Sequence, residues 1–245
     1  MNQRTGITKA QLQYLAIIAM VADHAAWAFL DFQTPIGFAI HVFGRLTLPI
    51  MCFFIAEGFA HTHDIKRYIA RMAIFAAVSI LPFYLFFSWE YGYRQNIIFA
   101  ELLALLALCA MKLGSIKKPL RIILVVLLFA ASLLLSGWPV MPIIYAFVFT
   151  YNKEFKKKAK WFCIFTGILS GTVAAVVIAS RINPSIGVTW SFGQAIYLLG
   201  FMLALIPLSR YNGQKGNAHT GRYFFYVFYP LHFLVLWGLQ KLILG

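Results

Sequence analysis

The sequence predicts an all-α fold: a polytopic transmembrane helix bundle of about nine segments, one integral-membrane domain over residues 1–245, with its N-terminus cytoplasmic. Three observations predict it. The chain is 62% hydrophobic and only 11% charged, against about 25% charged in soluble domains. Apolar runs of roughly 17 to 22 residues recur along it, the length a helix needs to cross about 30 Å of hydrocarbon. These runs are continuous rather than alternating, which excludes a β-barrel. Finally, the net charge of +14 is concentrated between the runs and at their ends. In a soluble protein that charge would point to nucleic acid. Here it is topological, so the expected partners are membrane lipids and not nucleic acid.

The segments follow in order. The first, 12–30, opens after Arg4 and Lys9 and carries Asp23-His24 in its outer half. It resembles a signal peptide, but no small-x-small cleavage site follows and the Asp-His pair breaks the apolar region, so it is expected to be retained. The second, 46–62, begins after His41-Val-Phe-Gly-Arg45, and the third, 67–88, after Lys66 and Arg67. The fourth, 96–112, opens at Gln95-Asn96 and closes at Lys112. Segments 120–136 and 138–151 are short and separated by Ser136-Gly-Trp-Pro-Val-Met-Pro142, whose prolines interrupt a helix. The pair reads either as two spans or as a hairpin that does not fully cross. Segments 161–180, 190–209 and 223–243 complete the set. Of the 21 Lys and Arg residues, all but Arg45, Arg94, Arg181 and Lys241 then fall on one side, the cytoplasmic side of a multi-pass inner-membrane protein. Cys52, Cys109 and Cys163 sit at no metal-ligand spacing and read as small buried hydrophobes.

Ionisable groups at membrane depth are costly and mark function. Consecutive helical residues point about 100° apart, so Asp23 and His24 need different partners. Arg45 is the counter-ion that suits Asp23, because a guanidinium matches a carboxylate bidentately. That pair either staples two helices or frees His24 for chemistry. Glu57, His61 and Asp64, spaced 4 and 7 apart, are expected on one helix face, as a metal site or as a solvated polar surface, and the second reading leaves no metal. Asn96 reads as an amide donor to a bound carbonyl or as a helix cap. Glu101 is a further acid inside an apolar run. His232 lies near mid-membrane, with Tyr226, Tyr229 and Pro230 just before it. The run Lys153-Glu-Phe-Lys-Lys-Lys-Ala-Lys160 is expected as a basic loop, topogenic or able to grip a polyphosphate.

Several blocks resemble the TraX family, multi-pass inner-membrane proteins named for the N-terminal acetylation of F-type conjugative pilin. They are Ile17-Ile-Ala-Met-Val-Ala-Asp-His24, Phe43-Gly-Arg-Leu-Thr-Leu-Pro through Glu57-Gly-Phe59, Ser79-Ile-Leu-Pro-Phe83, Gln95-Asn-Ile-Ile-Phe99, Tyr211-Asn-Gly-Gln-Lys-Gly216 and Tyr223 to His232. Residues 113–194 share only hydrophobic character. The family is also distantly similar to membrane acyltransferases that O-acetylate cell-surface sugars from cytoplasmic acetyl-CoA. Two positions depart from the family pattern: Glu101 stands where a small polar residue is usual, and Leu81 where an acid is.

The resemblance implies an acetyltransferase that moves an acetyl group from cytoplasmic acetyl-CoA, as acyl donor, to an acceptor at the outer face. The N-terminus of pilin is the implied acceptor, with a surface polysaccharide or a lipid as alternatives. The implied catalytic residues are His24, Asp23 and His232; the substrate-binding set is Arg45, Glu57, Asn96, Tyr229 and His61. Such a transfer needs a base for the attacking group and a donor for the developing oxyanion. Two other classes fit the residues without the resemblance: a small proton-coupled transporter, whose intramembrane acids and imidazoles form a relay, and a structural scaffold of a conjugation apparatus.

Overall fold

The computed structural model describes residues 5–87, 94–186, 191–216 and 224–244. Arg4, Arg222 and Tyr223, and residues 88 and 190 at the ends of expected segments, lie outside the described residues. All regular structure in the described residues is helical. Twelve α-helices are described: α1 Lys9–Phe29, α2 Pro35–Gly44, α3 Thr47–His61, α4 Ile65–Val78, α5 Ile80–Phe86, α6 Ile97–Lys112, α7 Lys118–Leu135, α8 Met141–Tyr151, α9 Phe155–Ile182, α10 Phe192–Leu198, α11 Leu205–Ser209 and α12 Phe224–Leu244. A 3₁₀ stretch, Leu199–Ala204, joins α10 to α11.

The chain is a multi-pass membrane protein, and the described residues do not confirm the expected count of nine. Among the described residues six stretches are long and apolar enough to cross a membrane: Lys9–Phe29, Pro35–His61, Ile65–Phe86, Lys118–Leu135, Phe155–Ile182 and Phe192–Ser209. The short pair resolves unequally. The 18-residue α7 reaches spanning length, whereas α8, with 11 residues, does not. Two further boundaries differ. Residues 35–44, between the expected segments 12–30 and 46–62, form α2, because Thr34 caps its first turn through a 3.1 Å bond from Gly37 N–H and Pro35 sits at the first helical position. The basic run is not a loop either: α9 begins inside it at Phe155, placing Lys156, Lys157, Lys158 and Lys160 on its opening turns.

Packing gathers the chain into two compact units, residues 1–51 with 152–218, and residues 52–151 with 219–245. In the first, α1 is started by a capping box in which the Gln11 carboxamide oxygen accepts from Thr8 N–H at 2.8 Å while Gln11 N–H donates to Thr8 Oγ1. The N–H groups of Lys9 and Ala10, which a helix cannot satisfy itself, donate to the carbonyls of Gln214 and Lys215 at 2.8 and 3.1 Å. The buried stripe of α1 is Leu12, Ala16, Ala19, Asp23 and Ala26, in the 4–3–4–3 spacing of one helix face. Its small side chains let α2 approach closely through its own buried face, Gly37, His41 and Gly44. A Cβ at Gly44 would overlap the Asp23 side chain. Thr47 Oγ1 donates to Ala16 carbonyl at 3.0 Å, tying the start of α3 to α1, and Ser170 Oγ of α9 donates to Ala195 carbonyl of α10 at 2.7 Å.

The second unit is built around α6, which packs against α4, α7 and α8. Its core combines large residues, Phe59, Tyr68, Met72, Leu105, Leu108 and Ile143, with Ala104, Ala107 and Ala146 where backbones come close. The aromatic face of α5 meets α12, with Phe83 and Phe86 at 5.8 and 5.2 Å from the Phe233 ring. The break after α7 is held by its own hydrogen bonds: Val140 N–H donates to Ser132 Oγ at 2.9 Å and Trp138 N–H to Ser136 Oγ at 3.0 Å. These bonds sustain Val140 at φ 54, a region a β-branched residue rarely occupies.

Replacing Gly44 with alanine is expected to force α2 off α1 and lower stability by about 1–3 kcal/mol. Alanine at Gly167, where an added Cβ meets open space, should leave stability nearly unchanged. Thermal unfolding in detergent compares the two.

Candidate functional site

In the first unit α1 and α2 enclose a buried polar cluster. Asp23, Arg45 and His41 retain 6%, 4% and 0% of their exposure, so water compensates none of their polarity. Arg45 Nη2 donates to Asp23 Oδ2 at 2.5 Å, and His41 Nδ1 lies 2.8 Å from Asp23 Oδ1. An ionised carboxylate only accepts, so Nδ1 carries an imidazole hydrogen, and in the neutral ring the lone pair is then on Nε2. Arg45 Nε also donates to the His41 carbonyl at 3.2 Å. The guanidinium carbon lies 4.9 Å from the Tyr197 ring and 5.8 Å from that of Phe201, which adds cation–π attraction in a dry setting. Gly200 permits this approach, since a Cβ there would press on the Val42 carbonyl at 2.8 Å.

The expected Asp23–Arg45 ion pair is present. Arg45 stands in the turn between α2 and α3, the C-cap position of α2. The imidazole that Asp23 orients is His41, which the sequence reading passed over. The signal was available: with Thr34-Pro35 read as a helix start, His41 falls four residues after Gly37 and three before Gly44, on the glycine face of α2. His41 Nε2 is buried and has no hydrogen-bond partner among the described residues. Its ring packs at 4.7 Å from Trp27 and 5.2 Å from Phe32, and Phe32 in turn meets Tyr197 edge-on at 5.6 Å. A buried imidazole nitrogen left unbonded is uncommon, and it stands out here because the rest of the cluster is satisfied. His24, half-buried on the neighbouring position of α1, is within electrostatic reach of the same carboxylate.

The other expected site residues belong to the second unit. Asn96 is the cap of the two alternatives: its Oδ1 accepts from Phe99 N–H at 3.2 Å and its Nδ2 donates to the Ala76 carbonyl at 2.9 Å. Tyr229 joins it at the first turn of α6, its hydroxyl accepting from Ile97 N–H at 3.4 Å. The Asn96 Oδ1 and the Tyr229 hydroxyl therefore serve N–H groups that the start of α6 would leave unpaired, while Asn96 Nδ2 ties that start to α4. His232 is buried against Phe228, Tyr229 and Phe233, and its Nδ1 donates to the Phe228 carbonyl at 3.3 Å. Glu57 is half-buried and His61 exposed, with His61 Nδ1 donating to the Glu57 carbonyl at 2.9 Å. The expected three-residue face with Asp64 does not form, because α3 ends at His61. Asp64 instead caps α4, accepting from Arg67 N–H at 3.0 Å and pairing with the Arg67 guanidinium at 2.9 Å. Glu101 is buried in α6 and makes no ion pair with a described residue.

Comparison with known proteins places the whole chain. A family model described as "TraX protein" matches residues 8–240. A protein of Dichelobacter nodosus named "Probable fimbrial assembly protein FimC, serogroup H1" is 32% identical over 249 residues, covering 96% of this chain and 97% of its own length. No solved structure matches.

Removing one member of a buried ion pair strands the other, at about 3–5 kcal/mol. Arg45→Leu and Asp23→Leu are each expected to destabilise by that amount. The double variant should cost less than their sum, because neither charge is then left alone. A double-mutant cycle in urea measures the difference.

Proposed function

Because this chain belongs to the TraX family, we propose that it is an inner-membrane acyltransferase that moves an acetyl group from acetyl-CoA to a protein acceptor, the N-terminus of a pilin subunit. The observation that carries this reading is the buried Asp23–His41–Arg45 cluster, whose His41 Nε2 is unbonded among the described residues. The name borne by the Dichelobacter relative, a fimbrial assembly protein, supports the choice of a pilin acceptor.

Acetyl transfer forms a bond from the acceptor nitrogen to the thioester carbonyl carbon and breaks the carbon–sulfur bond. The proton shed by the nitrogen must be taken up, and the departing thiolate must regain one. His41 Nε2 is the base in this assignment. Asp23 holds the Nδ1–H tautomer and stabilises the imidazolium that forms, the same division of labour as in a hydrolase triad. The imidazolium then returns its proton to the sulfur. Arg45 occupies the second oxygen of Asp23, so the carboxylate stays fixed while the charge on His41 changes. Trp27 and Phe32 exclude water around the ring, which strengthens these interactions and protects the thioester from hydrolysis. His24 supplies a second imidazole on the α1 side of the same carboxylate.

A base of this kind contributes about 10²- to 10⁴-fold. His41→Gln and Asp23→Asn are therefore expected to lower acetylation of pilin N-termini by at least about 100-fold in membranes supplied with labelled acetyl-CoA. Mass spectrometry of the pilin measures this, with His63→Gln as an exposed control. Wild-type acetylation by folded His41→Gln protein would remove His41 from the chemistry. Unmodified pilin in cells that carry the intact chain would refute the acceptor.

A further inference from the structure

The second unit holds a guanidinium that the described residues leave short of partners. Arg71 lies six residues into α4, about 9 Å along the helix from Ile65. Its guanidinium carbon is 5.3 Å from the Tyr68 ring and 5.4 Å from the Tyr226 ring, so the cation is held against two aromatic faces. The Tyr226 hydroxyl touches one part of the group. Arg71 Nε, in contrast, is buried and has no hydrogen-bond partner among the described residues. Among the described residues no carboxylate reaches Arg71 as an ion pair. Glu101 is within electrostatic reach of both tyrosines, yet it forms no ion pair with the arginine. A guanidinium stays charged at any physiological pH, and a partly buried one without a counter-ion is costly.

The surroundings keep this arginine in place. Phe75 stacks on Tyr226 at 4.9 Å and 21°, which fixes that ring from the side of α4. Gly58 of α3 lies so close to Tyr68 that a Cβ would meet the ring at 2.9 Å. Phe59, Tyr68 and Tyr226 belong to one apolar cluster, and Lys112 at the end of α6 sets its Nζ 4.2 Å from the Phe59 ring. Lys112 is exposed. Two cations, one half-buried and oriented, the other open to solvent, thus flank the same aromatic cluster at the basic end of this unit. By the positive-inside distribution that end faces the cytoplasm.

We propose that Arg71, braced by Tyr68 and Tyr226 and assisted by Lys112, seats a phosphate group. A planar fork with an unused N–H matches phosphate oxygens, and two cations match a doubly charged group better than a single carboxylate. Two sources carry that chemistry at a cytoplasmic membrane face: the headgroup of an anionic phospholipid and the phosphates of a soluble nucleotide-bearing molecule. The seat does not depend on acyl transfer, since phosphate binding requires no reaction.

The test uses the purified full chain in maltoside micelles, which contain no phosphate. Inorganic pyrophosphate, coenzyme A and short-chain phosphatidylglycerol are titrated separately by calorimetry. The intact chain is expected to bind at least one of them. Arg71→Gln should weaken that binding about tenfold or more, in keeping with a lost charge-assisted hydrogen bond. Lys112→Gln should weaken it several-fold, and Arg181→Gln, an exposed residue at the end of α9, should not change it. Arg71→Lys keeps the charge but loses the fork, so it should fold and bind at an intermediate level even where Arg71→Gln fails to fold. Binding of pyrophosphate or coenzyme A that depends on Arg71 assigns the seat to a soluble phosphate. Arg71-dependent binding of phosphatidylglycerol alone assigns it to a headgroup. No binding of any probe, or equal binding by the intact chain and the Arg71→Lys variant, overturns the proposal.

Discussion

The carboxylate of Asp23 sits where neither water nor lipid can solvate it, and much of the first unit is arranged around that constraint. A buried ion costs several kcal/mol unless its lone pairs are met by good geometry. Asp23 meets the requirement with two cationic or donor groups, Arg45 on one oxygen and His41 on the other. Each partner imposes conditions on its own element. His41 must face α1, so α2 turns its glycine face inward, and Gly44 has to be small because Asp23 occupies the space of its side chain. Arg45 must turn back from the α2–α3 junction, and Tyr197 and Phe201 receive the other side of its guanidinium.

The cluster has an asymmetry that matters for chemistry. Asp23 and Arg45 satisfy each other, which by itself would be a structural staple of two helices. His41 does not close the network, because its Nε2 has no hydrogen-bond partner among the described residues. A purely structural imidazole is ordinarily bonded at both nitrogens or exposed to water at one. Holding one nitrogen by a carboxylate and leaving the other unbonded is the arrangement a general base requires. Asn96 and Tyr229 show the contrast. They are buried too, but Asn96 Oδ1 and the Tyr229 hydroxyl accept from the first turn of α6 and Asn96 Nδ2 donates to the Ala76 carbonyl of α4, so they hold the fold.

Arg71 differs from Arg45 in the same sense. Both are held against two aromatic rings, but among the described residues Arg45 has a carboxylate and Arg71 does not. In the first unit the charge is compensated internally and the functional vacancy is a nitrogen lone pair. In the second unit the vacancy is a donor. The relief of an unmet donor calls for an anion, whereas an unmet lone pair calls for a proton.

The sequence alone determined the membrane class, the family and the Asp23–Arg45 pairing. Long apolar runs, segregated charge and a guanidinium near a carboxylate are readable without coordinates, because the cost of a buried charge is independent of the fold that buries it. Asp23 even stands in register with Leu12, Ala16, Ala19 and Ala26, a helical period visible along the chain. What only the tertiary structure decided is which of the polar residues remain available. His24 and His41 are alike in composition, and Asn96 was open between donor and cap. Arg71 was one more positive charge at a helix end. A hydrogen bond is a relation between two groups, often distant in sequence, and the sequence lists the groups without their partners. Asp23 and His41 stand 18 residues apart and Asn96 and Ala76 20, so their pairing had to come from how the helices pack.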